Sequence, residues 1–151
     1  MTSEQTALIR DSWPAVAAGA DELTANFYKY LFEIDDSAAR LFAGVDMSMQ
    51  RTRLAQALAV VVHGIDDPDR LLPAIAELGK RHTRYGVELR HFDSVGEALI
   101  AALAEVLGDN FGPDLRTAWA EAYALIASVM RRAIIRSNAV SPGTTGEIAV
   151  R

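Results

Sequence analysis

One histidine lies on an apolar helical face, where it could bind a metal. His82 follows Ile75 and Leu78 by seven and four residues, so the three side chains share one face of a helix that is predicted to begin at Pro73. A histidine in such a stripe is more often a core residue whose hydrogen bonds are satisfied, but its imidazole could also donate a nitrogen to a metal ion. The helix itself leaves both interpretations open.

Two further polar residues lie close to apolar faces. Tyr28 is near the core-facing side of its predicted helix, and Gln50 points toward the same side as the stripe that begins at Leu54. Each has an ordinary explanation, because buried tyrosines usually have a bonded hydroxyl and glutamines at helix starts are usually solvated. Of the other histidines, His63 lies off its apolar face and should be exposed, while His91 should cap a helix.

The sequence lacks the motifs of several familiar kinds of site. It has no cysteine, which excludes disulfides, thiolate metal sites and iron–sulfur clusters. It has no HExxH, no GxSxG and no glycine-rich phosphate loop. Lys80, Arg81 and Arg84 form a basic group that suits either a solvated helix face or the anionic groups of a cofactor. A haem iron can be held by a single proximal histidine, so this kind of site stays open.

Composition predicts one ordinary globular domain. The chain has 151 residues, of which 50% are hydrophobic, and a net charge of −5. That charge, without a basic stripe, argues against nucleic acid as a partner. No secretory signal or run of about 18 apolar residues appears, so we expect no membrane span. The absence of cysteine fits a reduced setting, so we expect a cytoplasmic location.

The patterns indicate an all-α protein with about seven helices. The predicted helices run from a cap at Thr2 to Ala18, from Asp21 to Asp35, through a short turn ending at Phe42, along the stripe Leu54–Ile65, from Pro73 to Gly86, over Phe92–Leu107, and from Pro113 through Ile134. Asp66-Asp67-Pro68 should separate the fourth helix from the fifth. Residues 137–151 are rich in Ser, Pro, Gly and Thr, which predicts a disordered tail.

The order of several short motifs resembles that of a known family. These motifs are Phe27-Tyr28-Lys29-Tyr30-Leu31-Phe32, Arg40-Leu41-Phe42, Gln50 with Leu54, His82 with Tyr85-Gly86-Val87, Val95-Gly96 and Ala118-Trp119-Ala120-Glu121-Ala122-Tyr123. Together they resemble single-domain bacterial haemoglobins and the globin domain of flavohaemoglobins, from about Glu4 to Arg136. The resemblance implies a globin domain over residues 1–136, with its helices packed around a haem pocket.

The resemblance also implies a role for individual residues. His82 would be the proximal ligand of the iron in haem b (iron protoporphyrin IX). Tyr28 and Gln50 would donate hydrogen bonds to a distal ligand, and Leu54 would crowd that ligand. Phe42 would pack against the porphyrin. Four further residues would line the cofactor, namely Val87, Phe92, Val95 and Tyr123.

The chain departs from flavohaemoglobins behind the proximal histidine. Flavohaemoglobins have a tyrosine and a glutamate there, and the matching positions are Phe92 and Ile134, which cannot accept a hydrogen bond through their side chains. His82 should then be a more neutral ligand, bonded instead to the carbonyl of Leu78 one turn back. A neutral ligand favours reversible oxygen binding over O–O cleavage.

Two functions of different classes follow. The first is reversible binding of O2 for storage, delivery or sensing, with NO and CO as further gaseous ligands. The second is an enzyme, a nitric oxide dioxygenase, which would need an external reductase because we find no flavin or nicotinamide domain in the sequence. The sequence does not decide whether the protein is an enzyme. His82 and Phe42 argue against a third alternative, an interaction module without haem.

Overall fold

The computed structural model describes residues 1–140, except for the side chains of residues 83, 84, 139 and 140. Over this range the chain forms seven α-helices, one 3-10 turn and no strand. The helices are α1 (Ser3–Ala18), α2 (Ala20–Ile34), α3 (Asp36–Leu41), α4 (Met47–Gly64), α5 (Pro68–Arg84), α6 (His91–Leu107) and α7 (Pro113–Val140), with the 3-10 turn at Gly108–Asn110. The prediction of an all-α fold is confirmed. None of the described helices is long and apolar enough to cross a membrane.

Local sequence signals define the first helix boundaries. Thr2 and Gln5 form a capping box, in which the Thr2 hydroxyl accepts the Gln5 amide at 3.1 Å and the Gln5 side chain accepts the Thr2 amide at 2.9 Å. Gly19 separates α1 from α2, as predicted. The Asp35 carboxylate caps α3 by accepting the backbone amides of Ser37 and Ala38.

Two predicted boundaries differ from the structure. Helix α5 begins at Pro68 rather than Pro73, because proline is well suited to the first helical position, where its missing amide leaves no bond unmade. Pro73 lies inside this helix, with its side chain exposed. Leu72 is therefore helical, although a proline follows it. At the other end of the chain, α7 continues to Val140 through residues that we expected in the tail. The remainder of that predicted tail, residues 141–151, lies outside the described residues.

Two hydrophobic clusters hold the helices together. The first lies where α2 packs against α6, α4 and α1, and it contains Phe27, Tyr28 and Leu103. The second lies where α5 packs against α7, and it contains Ile75, Phe92 and Ile134. Burying each large aliphatic side chain contributes about 1.5–3 kcal/mol before the cost of ordering the chain.

A glycine brings the helix of His82 close to α7. A Cβ added at Gly79 would lie 2.9 Å from the Cα of Met130 and 3.0 Å from the Cβ of Ala133. Only a residue without a side chain permits this approach of two backbones. Gly79 therefore sets how closely α5, and the histidine one turn further along it, packs against the last helix.

Candidate functional site

His82 is held in a defined orientation near the end of α5. Its Nδ1 lies 2.6 Å from the carbonyl oxygen of Leu78, which can only accept, so Nδ1 carries the proton and donates. The predicted bond to Leu78 is confirmed. No other described residue hydrogen-bonds the ring, and Tyr85 packs edge-on against it with the ring centroids 5.6 Å apart. In the neutral tautomer, Nε2 therefore keeps its lone pair.

The surroundings of His82 favour this neutral form. Burial lowers the pKa of His82 because the charged imidazolium loses its hydration, and the Arg81 guanidinium lowers the pKa further. The bond to Leu78 acts in the opposite direction, but burial is the larger effect. A neutral imidazole with a free nitrogen is the form in which histidine binds metals.

Tyr28 and Gln50 come together from two different helices. Tyr28 lies on α2 with 6% of its surface exposed, and Gln50 lies in the first turn of α4. The two side chains hydrogen-bond each other, and burial raises the pKa of Tyr28 while the bond from Gln50 partly offsets that rise. The phenol therefore stays protonated near neutral pH and can donate a hydrogen bond.

Aromatic rings fix the position of Tyr28. Its ring contacts Phe27 edge-on at 4.9 Å between centroids and Phe42 at 5.3 Å. Phe32 contacts both Tyr28 and Phe42, with ring centroids 5.9 and 5.6 Å away. Such ring pairs contribute about 0.5–1.5 kcal/mol beyond the burial of their surface. Leu54 and Val95 pack against the first hydrophobic cluster, which contains Tyr28.

The remaining candidate residues lie in or beside the second cluster. Phe92 is buried with Val87 packed against its cluster, and Tyr123 packs against both clusters. The Tyr123 hydroxyl donates to the carbonyl of Phe92 at 2.5 Å. The structure thus places Tyr28, Phe42, Leu54 and Val95 in or against the first cluster, and Phe92 and Val87 in or against the second. No contact between His82 and Tyr28 is observed among the described residues.

Among the described residues, no carboxylate or tyrosine hydroxyl hydrogen-bonds the ring of His82. Phe92 and Ile134 are buried at 5% and 3% exposure in the second cluster, and neither side chain has an oxygen. Within residues 1–140, the hydrogen-bond partner of the ring is a backbone carbonyl and not a carboxylate. That same region contains no group of three His, Cys, Asp or Glu side chains able to hold a metal ion. A metal ion bound by His82 would therefore need ligands that do not come from a cluster of protein side chains.

The sequence did not reveal a buried polar cluster around His91. This histidine was expected to cap a helix, and its Nδ1 does accept the amide of Glu88 at 2.9 Å. Its Nε2, however, also lies 3.1 Å from the hydroxyl of Ser37, which is 54 residues away. A contact between residues so far apart in the sequence leaves no local pattern from which it could be predicted. His63 is exposed, as predicted.

The globin family model matches residues 25–130, which include the whole aromatic cluster, His82 and Tyr123. The chain belongs to the globin family. Among relatives, a flavohemoprotein of Chromobacterium violaceum is 35% identical over 86% of this globin and 33% of its own length. A flavohemoprotein of Rhodopirellula baltica is 32% identical over 95% of the globin and 36% of its own length. The globin therefore spans about a third of the length of these relatives.

A solved structure is similar over almost its entire length. It is an engineered carbene transferase made from a putative nitric oxide dioxygenase of Rhodothermus marinus, with a TM-score of 0.85 and 31% identity, and the match covers 94% of this globin and 99% of that chain. Globins are haem proteins, and the residues present fit that cofactor. His82 offers a neutral imidazole with a free nitrogen, while Tyr28 and Gln50 supply donors within an aromatic cluster.

Proposed function

We propose that this globin binds haem b through Nε2 of His82 and binds dioxygen reversibly, for storage, delivery or sensing. The observation that carries the proposal is the bond from His82 Nδ1 to the Leu78 carbonyl at 2.6 Å, made without a carboxylate. When bound, haem supplies a ferrous iron that takes up O2, NO or CO and gives O2 partial negative charge. A neutral proximal imidazole favours release of O2 unchanged, because anionic ligands promote O–O cleavage.

The proposed distal residues are Tyr28 and Gln50. The protonated phenol and the amide would donate hydrogen bonds to the ligand, and their own hydrogen bond supports the orientation of the phenol. Leu54 would limit the space beside them. The other proposed cofactor contacts are Phe42, Val87, Phe92, Val95 and Tyr123. The cytoplasmic location remains a prediction from the sequence.

Absorption spectra of the purified protein test this proposal. After reconstitution with haem, we expect a Soret band, a five-coordinate ferrous spectrum, a shift under CO, and an O2 spectrum that reverses when O2 is removed. A missing Soret band would contradict haem binding. A six-coordinate low-spin spectrum of the ferrous protein without added ligand would contradict the assignment of Tyr28 and Gln50, since neither is a strong iron ligand.

Nitric oxide dioxygenase activity is the second candidate. Two observations favour it, namely the Tyr28–Gln50 donor pair and the similarity to a putative nitric oxide dioxygenase. The test is NO consumption under O2 with a flavin reductase and reduced nicotinamide, using His82→Ala as the control. Consumption of many equivalents of NO per haem supports the enzyme. Consumption that stops at one equivalent supports the binding protein, because haemoglobins in general undergo that single oxidation.

A further inference from the structure

His91 is buried at the start of α6, and both of its ring nitrogens have partners. The residue exposes 3% of its surface. Nδ1 accepts the backbone amide of Glu88 at 2.9 Å, and Nε2 lies 3.1 Å from the Ser37 hydroxyl. None of the proposed cofactor contacts includes this residue.

The partners determine where the proton of His91 lies. A backbone amide can only donate, so Nδ1 must be the accepting nitrogen of a neutral ring. Nε2 then carries the proton and donates it to Ser37, whose own hydroxyl donates to the carboxylate of Asp35. The result is a directed chain of hydrogen bonds from α6 to the start of α3.

A second bond runs parallel to this chain. The Ser94 hydroxyl, one turn along α6 from His91, donates to the other oxygen of Asp35 at 2.9 Å. These two hydroxyl bonds are the main reason why the pKa of Asp35 falls to about 2. The Asp35 carboxylate is thus ionised over the whole physiological range and remains an acceptor for both serines.

The chain joins two segments that flank the proposed haem site. On one side, Ser37 lies in the first turn of α3, and the residue that follows α3 is Phe42, which contacts Tyr28. On the other side, the turn that contains Glu88 follows directly from α5. This turn is tied to the carbonyl of His82 by the amides of Tyr85 and Val87, at 3.1 and 3.3 Å.

We infer that His91 is a positioning residue that fixes the turn after His82 relative to α3 and Phe42, and thereby slows the loss of haem. The inference rests on the proposed haem binding. It assigns the effect to the bond between Nε2 and Ser37, and not to the local bond with Glu88. Neither His91 nor Ser37 needs to touch the cofactor for this role.

Three variants separate the two bonds of His91. Ser37→Ala removes the partner of Nε2. His91→Asn places an amide oxygen where Nδ1 was, so the Glu88 bond can form, but leaves nothing at the position of Nε2. His91→Gln extends its amide nitrogen to the position of Nε2, so the Ser37 bond can form. Ser12→Ala is the matched control, because its hydroxyl also joins two helices, by accepting the Trp119 indole N–H at 3.2 Å.

The measurement is the rate at which ferric haem transfers from each variant to excess apomyoglobin. We expect Ser37→Ala and His91→Asn to accelerate transfer about fivefold, the equivalent of one net hydrogen bond. His91→Gln and Ser12→Ala should stay within about twofold of the wild type. Equal rates for His91→Asn and His91→Gln would overturn the inference, as would an equal acceleration in Ser12→Ala.

Nuclear magnetic resonance of the ring nitrogens gives an independent readout in the wild-type protein without haem. The inference requires the tautomer with the proton on Nε2, and a proton on Nδ1 would overturn it. The two proposals also fail in different ways. A wild type without a Soret band refutes haem binding itself, whereas a normal Soret band with unchanged transfer rates in Ser37→Ala and His91→Asn refutes only the role of His91.

Discussion

Replacing Tyr28 by phenylalanine should speed the release of O2 while leaving the fold almost unchanged. The ring keeps its contacts with Phe27 and Phe42, at 4.9 and 5.3 Å between centroids. Gln50 is partly exposed, so its amide can bond to water once the hydroxyl is gone. We therefore expect the free energy of unfolding to fall by about 1 kcal/mol or less.

The rate of O2 dissociation should respond more strongly. One net hydrogen bond of about 1 kcal/mol corresponds to about a fivefold faster rate for Tyr28→Phe. Gln50→Leu should have an effect of similar size. If the two donors acted independently, the two rate effects would multiply, and the double variant would release O2 about 30-fold faster. Because the two side chains hydrogen-bond each other, the double variant should fall below that product.

Stopped-flow displacement of O2 by CO provides the assay, and CO dissociation provides the control. Bound CO carries little negative charge, so its dissociation rate should change by less than about twofold in the same variants. Two results would refute the reasoning. One is an equal acceleration of O2 and CO release in Tyr28→Phe. The other is a double variant whose O2 rate equals the full product of the single variants.

Three other predictions concern the proximal histidine, acid stability and helix packing. His82→Ala should abolish stable haem retention while the helical circular dichroism persists; a Soret band that survives gel filtration would contradict this. The Asp35 carboxylate, whose pKa falls from 3.8 to about 2 on folding, contributes stability that is complete above pH 4 and is lost as the pH falls toward 2. As the pH is lowered from 4 to 2, the urea concentration at the unfolding midpoint should therefore decrease more steeply in the wild type than in Asp35→Asn. Parallel decreases in the two proteins would contradict the assignment. Gly96→Ala should destabilise the protein by about 1 kcal/mol, because its Cβ would lie 2.7 Å from the Tyr123 ring, and this strain exceeds the gain of about 1 kcal/mol in helix propensity. In a Tyr123→Ala background, Gly96→Ala should instead stabilise the protein. If urea titrations gave a change in the free energy of unfolding of the same sign in both backgrounds, the ring would not be the cause.

The sequence identified the helices and most of the candidate site from short-range patterns. Capping at Thr2, the break at Gly19 and the stripe that carries His82 all depend on residues within a few positions of one another. The bond from His82 to Leu78 also spans a single helical turn, which is why it could be predicted. The site roles themselves remain proposals. The start of α5 was predicted incorrectly, because Pro68 and Pro73 carry the same local signal for a first helical position.

The tertiary structure decided which distant residues meet. The pairing of Tyr28 with Gln50 depends on how α2 packs against α4, and the pairing of His91 with Ser37 depends on how α6 packs against the start of α3. Neither partner is identifiable from its own helix, because a buried polar side chain requires a hydrogen bond but its type does not specify the donor. The sequence therefore determined which side chains could act, whereas helix packing determined the partners that orient them.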